Sequence, residues 1–231
     1  MPDPAAGNLL ARSELFSELD PATLAGLERV MRRRPLKADQ ALFHRGDRAD
    51  GCYVILEGVL KVDAAGTDGA ETLVALLGIG DVVGEIGLID GRPRSATVTA
   101  LKPSRVAFLD IDAFHRFAAE HPSLYRHMLR ILGARLRTAN ESLALQHGRP
   151  LAGRLAGVLL RMADGFGRPL DGGRVLIHET VSQSLLAQMS GAARENVSRQ
   201  MSAWRRDGLV SKVARYYVIE DLGRLGEIAG L

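Results

Sequence analysis

One cysteine is all that the 231 residues contain. A single thiol excludes a disulfide framework within the chain and a cysteine-held iron–sulfur cluster. Cys52 lies in the apolar run Cys52-Tyr-Val-Ile-Leu56, which predicts a buried structural thiol. Long apolar runs are also missing. The longest, such as Leu73-Val-Ala-Leu-Leu77, fall far short of the roughly 18 residues that cross a bilayer. Met1-Pro-Asp-Pro-Ala-Ala6 lacks a basic start followed by an apolar core, so no signal peptide is expected. Nucleophile elbows, metal-ligand spacings and base-oriented cysteines are lacking, which argues against an enzyme. The expectation is a reduced, soluble, cytoplasmic protein without a membrane partner.

What is present has the texture of a globular protein, with 46 % hydrophobic and 25 % charged residues. The net charge of +3 is uneven: residues 148–231 hold 12 Lys+Arg against 8 Asp+Glu, while the remainder is close to neutral. A basic C-terminal third fits a polyanion partner or a chance scatter of surface arginine.

Residues 9–34 read as short helices, with Asp20-Pro21 as N-cap and first-turn proline and Leu24, Leu27, Val30 and Met31 at helical spacing. From about residue 36 to 110 the pattern changes to short β-prone segments, Cys52–Leu56, Val59–Val62, Thr72–Leu77, Ala96–Ala100 and Arg105–Leu109, separated by glycine turns. Many short strands with frequent turns predict an antiparallel sandwich, roll or barrel. A helical stretch from Ile111 is broken at His121-Pro122 and resumes to about Gln146. Leu129, Leu132, Leu136, Ala139 and Leu143 form one heptad-like stripe, and Leu124, Met128, Ile131, Thr138 and Leu145 form another. Two stripes call for two packing partners: the β-domain of the same chain and a helix of a second copy. His147-Gly-Arg-Pro150 breaks the helix, so the expected domains are 1–120, a dimerisation helix over 121–147, and 148–231. Leu151–Met162 reads as helix, Gly165–Gly173 as loop and Val175–Ile177 as strand. The class is therefore α+β.

In the last third, Thr180-Val-Ser-Gln183 fits a capping box that opens a helix to about Met189, with Thr180 as N-cap. Ser190-Gly-Ala192 turns the chain, a second helix runs from about Arg194 to Arg206, and Leu209–Ile219 reads as a hairpin. Two helices joined by a short glycine-containing turn are the helix-turn-helix pattern. On the second helix Val197, Met201 and Trp204 form the buried stripe, and Arg194, Glu195, Ser198, Arg199 and Ser202 lie opposite. Long polar side chains in the first two turns suit a recognition helix entering the major groove, where Arg pairs with guanine and Glu accepts from cytosine. Glu195 and Arg199 are also spaced to pair with each other. The hairpin, with Lys212 and Arg215, would be a wing.

A second cluster lies in the β-domain. Gly80-Asp-Val-Val-Gly-Glu-Ile-Gly-Leu-Ile-Asp-Gly-Arg-Pro-Arg-Ser-Ala-Thr-Val98 combines glycines, the acid Glu85 and an Arg-Ser pair. Freed backbone amides, a hydroxyl and a guanidinium fit a phosphodiester, and a carboxylate such as Glu85 fits a ribose hydroxyl. The same residues also fit a loop of turn glycines with a surface arginine. Gly78-Ile-Gly80 with Gly84 is no dinucleotide fingerprint, because its spacing is wrong and a strand-like segment follows it.

Gly84-Glu-Ile-Gly-Leu-Ile…Pro93-Arg-Ser-Ala-Thr-Val98 resembles the phosphate-binding cassette of cyclic-nucleotide-binding domains, and Leu42-Phe-His-Arg-Gly-Asp47 with Tyr53-Val-Ile-Leu-Glu-Gly58 resembles the strands before it. Gly191-Ala-Ala-Arg-Glu-Asn-Val-Ser-Arg199 resembles the recognition helix of the same bacterial family. From about Leu9 to Tyr217 the chain is similar to the CRP/FNR family of transcription regulators. The resemblance implies a jelly-roll-like β-roll that binds a cyclic nucleotide, a long dimerisation helix and a C-terminal winged helix-turn-helix. It implies a homodimer on double-stranded palindromic DNA, with RNA polymerase as a further partner. Glu85 would hold the ribose 2′-hydroxyl, and Arg94 and Ser95 the phosphate. Gly84, Ile86 and Ala96 would complete the cassette, and Ala139 and Asn140 would abut the base. Cyclic AMP is the first candidate effector, with cyclic GMP or a cyclic dinucleotide as alternatives. Cyclic-AMP members carry a Thr-Ser pair where this chain has Ala139-Asn140. A ligand-independent regulator with a vestigial pocket is the other reading. Arg194, Glu195 and Arg199 follow the pattern that reads TGTGA-like half-sites, whereas Ser198 with Glu195 and Arg199 also fits the oxygen-sensor pattern of TTGAT-like half-sites; Arg194 favours the former. His44, His115, His121 and His127 are expected at the surface or an interface, and no metal, haem or iron–sulfur cluster is expected. On this reading Arg94→Ala would abolish nucleotide binding and leave the fold intact.

Overall fold

The computed structural model describes residues 10–11, 13, 15–17, 19–65, 71–146 and 150–231, with side chains for all of these except 65, 71, 72 and 138–146. Two compact units divide the chain, Met1–Arg137 and Thr138–Leu231.

The N-terminal unit is built around one strand that is buried on both faces. In β3 (Gly51–Glu57) Cys52, Val54 and Leu56 face one side, Tyr53 and Ile55 the other, and all five are buried. That explains the uninterrupted apolar run, since a strand covered on one face alone would alternate. β3 lies in an antiparallel sheet of order β1-β8-β3-β6, formed by β1 (Arg32–Leu36), β6 (Val82–Val83) and β8 (Ser104–Asp110). A second antiparallel sheet has the order β2-β7-β4-β5, from β2 (Ala41–Phe43), β4 (Leu60–Ala65), β5 (Glu71–Leu77) and β7 (Thr97–Ala100). Leu36, Leu42, Ile55, Leu60, Val98 and Val106, drawn from both sheets, fill the interior of this roll. Burying such a side chain stabilises the fold by about 1.5–3 kcal/mol each.

The opposite face of β3 and β8 is covered by helices α1 (Pro21–Val30), α3 (Ile111–Glu120) and α4 (Ser123–Gln146). Leu124, Met128 and Ile131 of α4 are buried in that second core. One stripe of the long helix therefore packs on the chain's own β-domain, as expected. The other does not: Leu129 is 66 % and Leu136 62 % exposed. Leu132 between them is half-buried, and Thr138, Ala139, Leu143 and Leu145 lie outside the described side chains.

Three expectations for this unit need correction. Residues 32–34 are strand and not helix, because β1 pairs with β8 from Arg32↔Phe108 to Leu36↔Ser104. Pro35 disfavours helical backbone before it, and β1 is an edge strand, where proline costs no ladder bond. The segment after Gly84 is a short helix, α2 (Glu85–Asp90), bounded by Gly84 (φ +84°) and Gly91 (φ +66°), both left-handed. Its buried residues are Glu85, Gly87 and Leu88. His127 is buried, with Nδ1 3.1 Å from the Leu15 carbonyl oxygen, and does not belong to the surface.

The C-terminal unit opens with α5 (Leu151–Phe166), whose buried face holds Leu155, Val158, Leu159 and Met162. α6 (Gln183–Ser190), α7 (Arg194–Arg206) and α8 (Leu222–Ala229) surround it. A four-stranded antiparallel sheet of order β11-β12-β10-β9 completes the unit, with β9 (Gly167–Pro169), β10 (Val175–Ile177), β11 (Val210–Val213) and β12 (Tyr216–Ile219). The helix after the strand is capped by Ser182, whose Oγ accepts from the Leu185 N–H at 3.0 Å, and not by Thr180. α8 escaped the reading of the sequence, although Asp221 as N-cap and Gly230 in the left-handed C-cap conformation mark its ends. Among the described residues no helix is long and apolar enough to cross a membrane.

Candidate ligand and nucleic-acid sites

In the N-terminal unit the cassette between β6 and β7 brings Gly84, Glu85 and Arg94 together. Arg94 is 4 % exposed. Its Nη1 donates to the Gly51 and Gly84 carbonyl oxygens at 2.7 and 2.9 Å, and Nη2 donates to Asp50 Oδ1 at 2.8 Å. The guanidinium lies over the Phe43 ring, 4.3 Å from its centroid, with Tyr53 5.8 Å away. Its Nε–H is buried and has no partner among the described residues. Gly84 must be glycine here, because a Cβ would fall 2.4 Å from Arg94 Nη1 on a backbone already at positive φ. Burial, and then the nearby Asp50 carboxylate, push the Tyr53 phenol pKa up.

Glu85 is 1 % exposed and is ion-paired with Arg135 of α4, which also donates to the Val82 carbonyl oxygen. Burial, followed by the Glu85 carboxylate, raises the Cys52 thiol pKa to about 12, so this cysteine is an inert core thiol, as its apolar run suggested. Of the other cassette residues, Ser95 and Ile86 are exposed and Ala96 is half-buried. Ala139 and Asn140 lie outside the described side chains. Reading the sequence missed Asp50, Phe43 and Arg135. For Arg135 there was a signal: it continues the buried spacing Leu124, Met128, Ile131 by one more helical step, and a charged residue in a buried stripe needs a partner.

In the C-terminal unit α6 and α7 are joined at Gly191, left-handed at φ +59°. Val197, Met201 and Trp204 are buried. Arg194, Glu195 and Arg199 are exposed and Ser198 is half-buried, all within the first two turns of α7. The expected pairing of Glu195 with Arg199 is replaced, since Arg199 Nη2 donates to Asn196 Oδ1. No side chain caps the start of α7, where Ala193 is the N-cap. On the β11–β12 hairpin Lys212 sits 5.5 Å from the Tyr217 ring centroid and Arg215 5.3 Å from that of Tyr216. The hairpin thus carries two cations, each set against a tyrosine ring, an arrangement suited to a phosphate backbone. Among the described residues no cluster of His, Cys, Asp and Glu could hold a metal ion.

Comparison with known proteins matches residues 33–121 to the cyclic nucleotide-binding domain and 153–228 to the Crp-like helix-turn-helix domain. A CRP-like cAMP-activated global transcriptional regulator of Mycobacterium tuberculosis is 29 % identical over 221 residues, 96 % of this chain and 98 % of the relative. A cyclic AMP receptor protein of Thermus thermophilus is 28 % identical, covering 94 % of this chain and 97 % of the relative. Among solved structures, FixK2 from Bradyrhizobium japonicum has the same fold, with a TM-score of 0.74 at 21 % identity, over 86 % of this chain and 97 % of its own.

Proposed function

The chain belongs to the CRP/FNR family of transcription regulators, and on that premise we propose that it is a homodimer whose DNA binding is controlled by a cyclic nucleotide. Members of this family are transcription regulators and not enzymes. One observation carries the effector reading: the enclosed guanidinium of Arg94 keeps a buried Nε–H without a partner among the described residues. An unpaired buried donor is costly, and a phosphate oxygen would satisfy it with a charge-assisted bond. Glu85, with Arg135 on one of its oxygens, is the acceptor for a ribose hydroxyl. The relatives' names make cyclic AMP the first candidate. The Ala139-Asn140 pair keeps cyclic GMP and cyclic dinucleotides in the test.

The exposed Leu129 and Leu136 on α4 support dimerisation through 121–147, since large apolar side chains in a row on a helix call for cover. Domain 148–231 reads DNA through Arg194, Glu195, Ser198 and Arg199, on TGTGA-like half-sites about one helical turn apart. Residues 1–120 sense the effector in the cytoplasm, the break at His147–Pro150 (its first three residues outside the described ones) acts as hinge, and RNA polymerase is the downstream partner. The effector must bind the two states of the dimer unequally to shift them.

A melting screen of the full chain against cyclic AMP, cyclic GMP and cyclic dinucleotides tests the effector. A ligand of the native state at a hundredfold excess over its Kd adds about 2.7 kcal/mol, which is several degrees in Tm. If no nucleotide raises Tm, the second reading stands: a ligand-independent regulator. That reading has support of its own, because Asp50 and two carbonyls already occupy Arg94, and Arg135 occupies Glu85. For the DNA site, Arg199→Ala is expected to cost about 1–3 kcal/mol on a specific palindrome and to relax base preference. An equal loss on random DNA would make Arg199 a phosphate contact.

A further inference from the structure

The turn between α6 and α7 is held from outside by a residue of α5. Arg154 Nε donates to the Ser190 carbonyl oxygen at 2.8 Å, and Nη2 approaches the Gly191 carbonyl oxygen at 3.4 Å. These are carbonyls at the C-terminal end of α6, where no further helical N–H follows. The neighbouring groups are already committed. The Gly191 and Ala192 amides bond back to the Gln188 and Ala187 carbonyls at 3.3 and 3.0 Å, and Ser190 Oγ donates to the Leu186 carbonyl at 2.7 Å. A guanidinium fits this end of a helix twice over, as a forked donor and as a cation at the negative end of the dipole.

α7 starts only three residues beyond Gly191. The direction in which Ser190 and Gly191 are held therefore sets how α7 leaves α6. Arg154 itself lies in the first turn of α5, its own N–H bonded to the Pro150 carbonyl at 3.2 Å. It thus joins the entry of the C-terminal unit to the turn before the reading helix.

We infer that Arg154 is a positioning residue for sequence reading by α7, acting through the α6–α7 turn and not by touching DNA. The inference rests on the DNA-binding reading above. Base-edge hydrogen bonds tolerate misplacement of only about 0.5 Å, whereas phosphate attraction is long-ranged and forgiving. Loosening the turn should therefore weaken specific binding and spare non-specific binding.

The test uses the full chain, a duplex that the wild type selects from a random-sequence library with and without cyclic AMP, and a scrambled duplex of equal length. Arg154→Met is expected to lower the ratio of specific to scrambled affinity about tenfold, the scale of one charge-assisted hydrogen bond. Affinity for the scrambled duplex and the salt slope should stay at wild-type values. Arg154→Lys, which can reach one carbonyl, should fall between. A loss of stability lowers both affinities alike, so the ratio reads positioning even where Arg154→Met melts lower. An unchanged ratio overturns the proposal, as does a parallel fall on both duplexes. A salt slope smaller by about one would make Arg154 a phosphate contact and also overturn it. If the wild type enriches no sequence, the DNA-binding reading fails first and takes this one with it.

Discussion

Replacing Arg94 with alanine is expected to cost the N-terminal unit about 3 kcal/mol, not merely its ligand. The substitution removes the donor to two backbone carbonyls, those of Gly51 and Gly84, and the cation packed over Phe43. The ion pair with Asp50 adds little to this figure, because that carboxylate is 59 % exposed and water can replace its partner. For a unit of this size the loss corresponds to roughly 6–12 °C in Tm. Differential scanning calorimetry without nucleotide measures it, and a variant melting within a degree or two of wild type would reduce Arg94 to a ligand contact. Arg94→Lys keeps a charge near Asp50 but cannot serve both carbonyls, and should lie between. The expectation that Arg94→Ala would leave the fold intact took the residue as a phosphate ligand alone. Its burial makes it part of the core as well as the candidate phosphate donor.

Trp204→Ala carries the second large effect, about 3–5 kcal/mol lost from the C-terminal unit through the cavity it leaves under α7. Trp204 is buried with Val197 and Met201, one stripe that fixes α7 against the unit's core. Binding to every DNA sequence should fall together, as the folded fraction of the reading unit falls. Because the two units are separately compact, the calorimetric transition of Met1–Arg137 should stay in place while the other moves down. A single transition that moves as a whole would mean that the units melt as one.

Local pattern was enough to place α7 at about Arg194–Arg206 and the strand at Val175–Ile177. It also separated the two stripes of α4, because a 3.6-residue period records which face of a helix is buried whatever buries it. It failed where two periods compete over few residues. Six residues in α2 are too few to tell a helix from a strand without the flanking left-handed glycines, and the Arg32–Leu36 strand has four exposed residues with no alternation to read. The cap was misplaced by two residues because Thr180 and Ser182 both have the right hydroxyl, and only backbone geometry chooses between them.

The sequence by itself determined the kind of protein: a cassette of glycines, the acid Glu85 and an Arg-Ser pair, then a long two-striped helix, then a helix-turn-helix with its polar face at the start of the second helix. Those features are local, written in spacings of three, four and seven. Tertiary structure alone decided what the charged residues do. Arg94 meets Gly51 across 43 residues, Arg135 reaches Glu85 across 50, and Arg154 reaches Ser190 across 36. Each of these pairs exists because the topology brings distant backbone within a guanidinium's reach. Periodicity carries no information about such distances, because any exposed position on the same face would fit an arginine equally well.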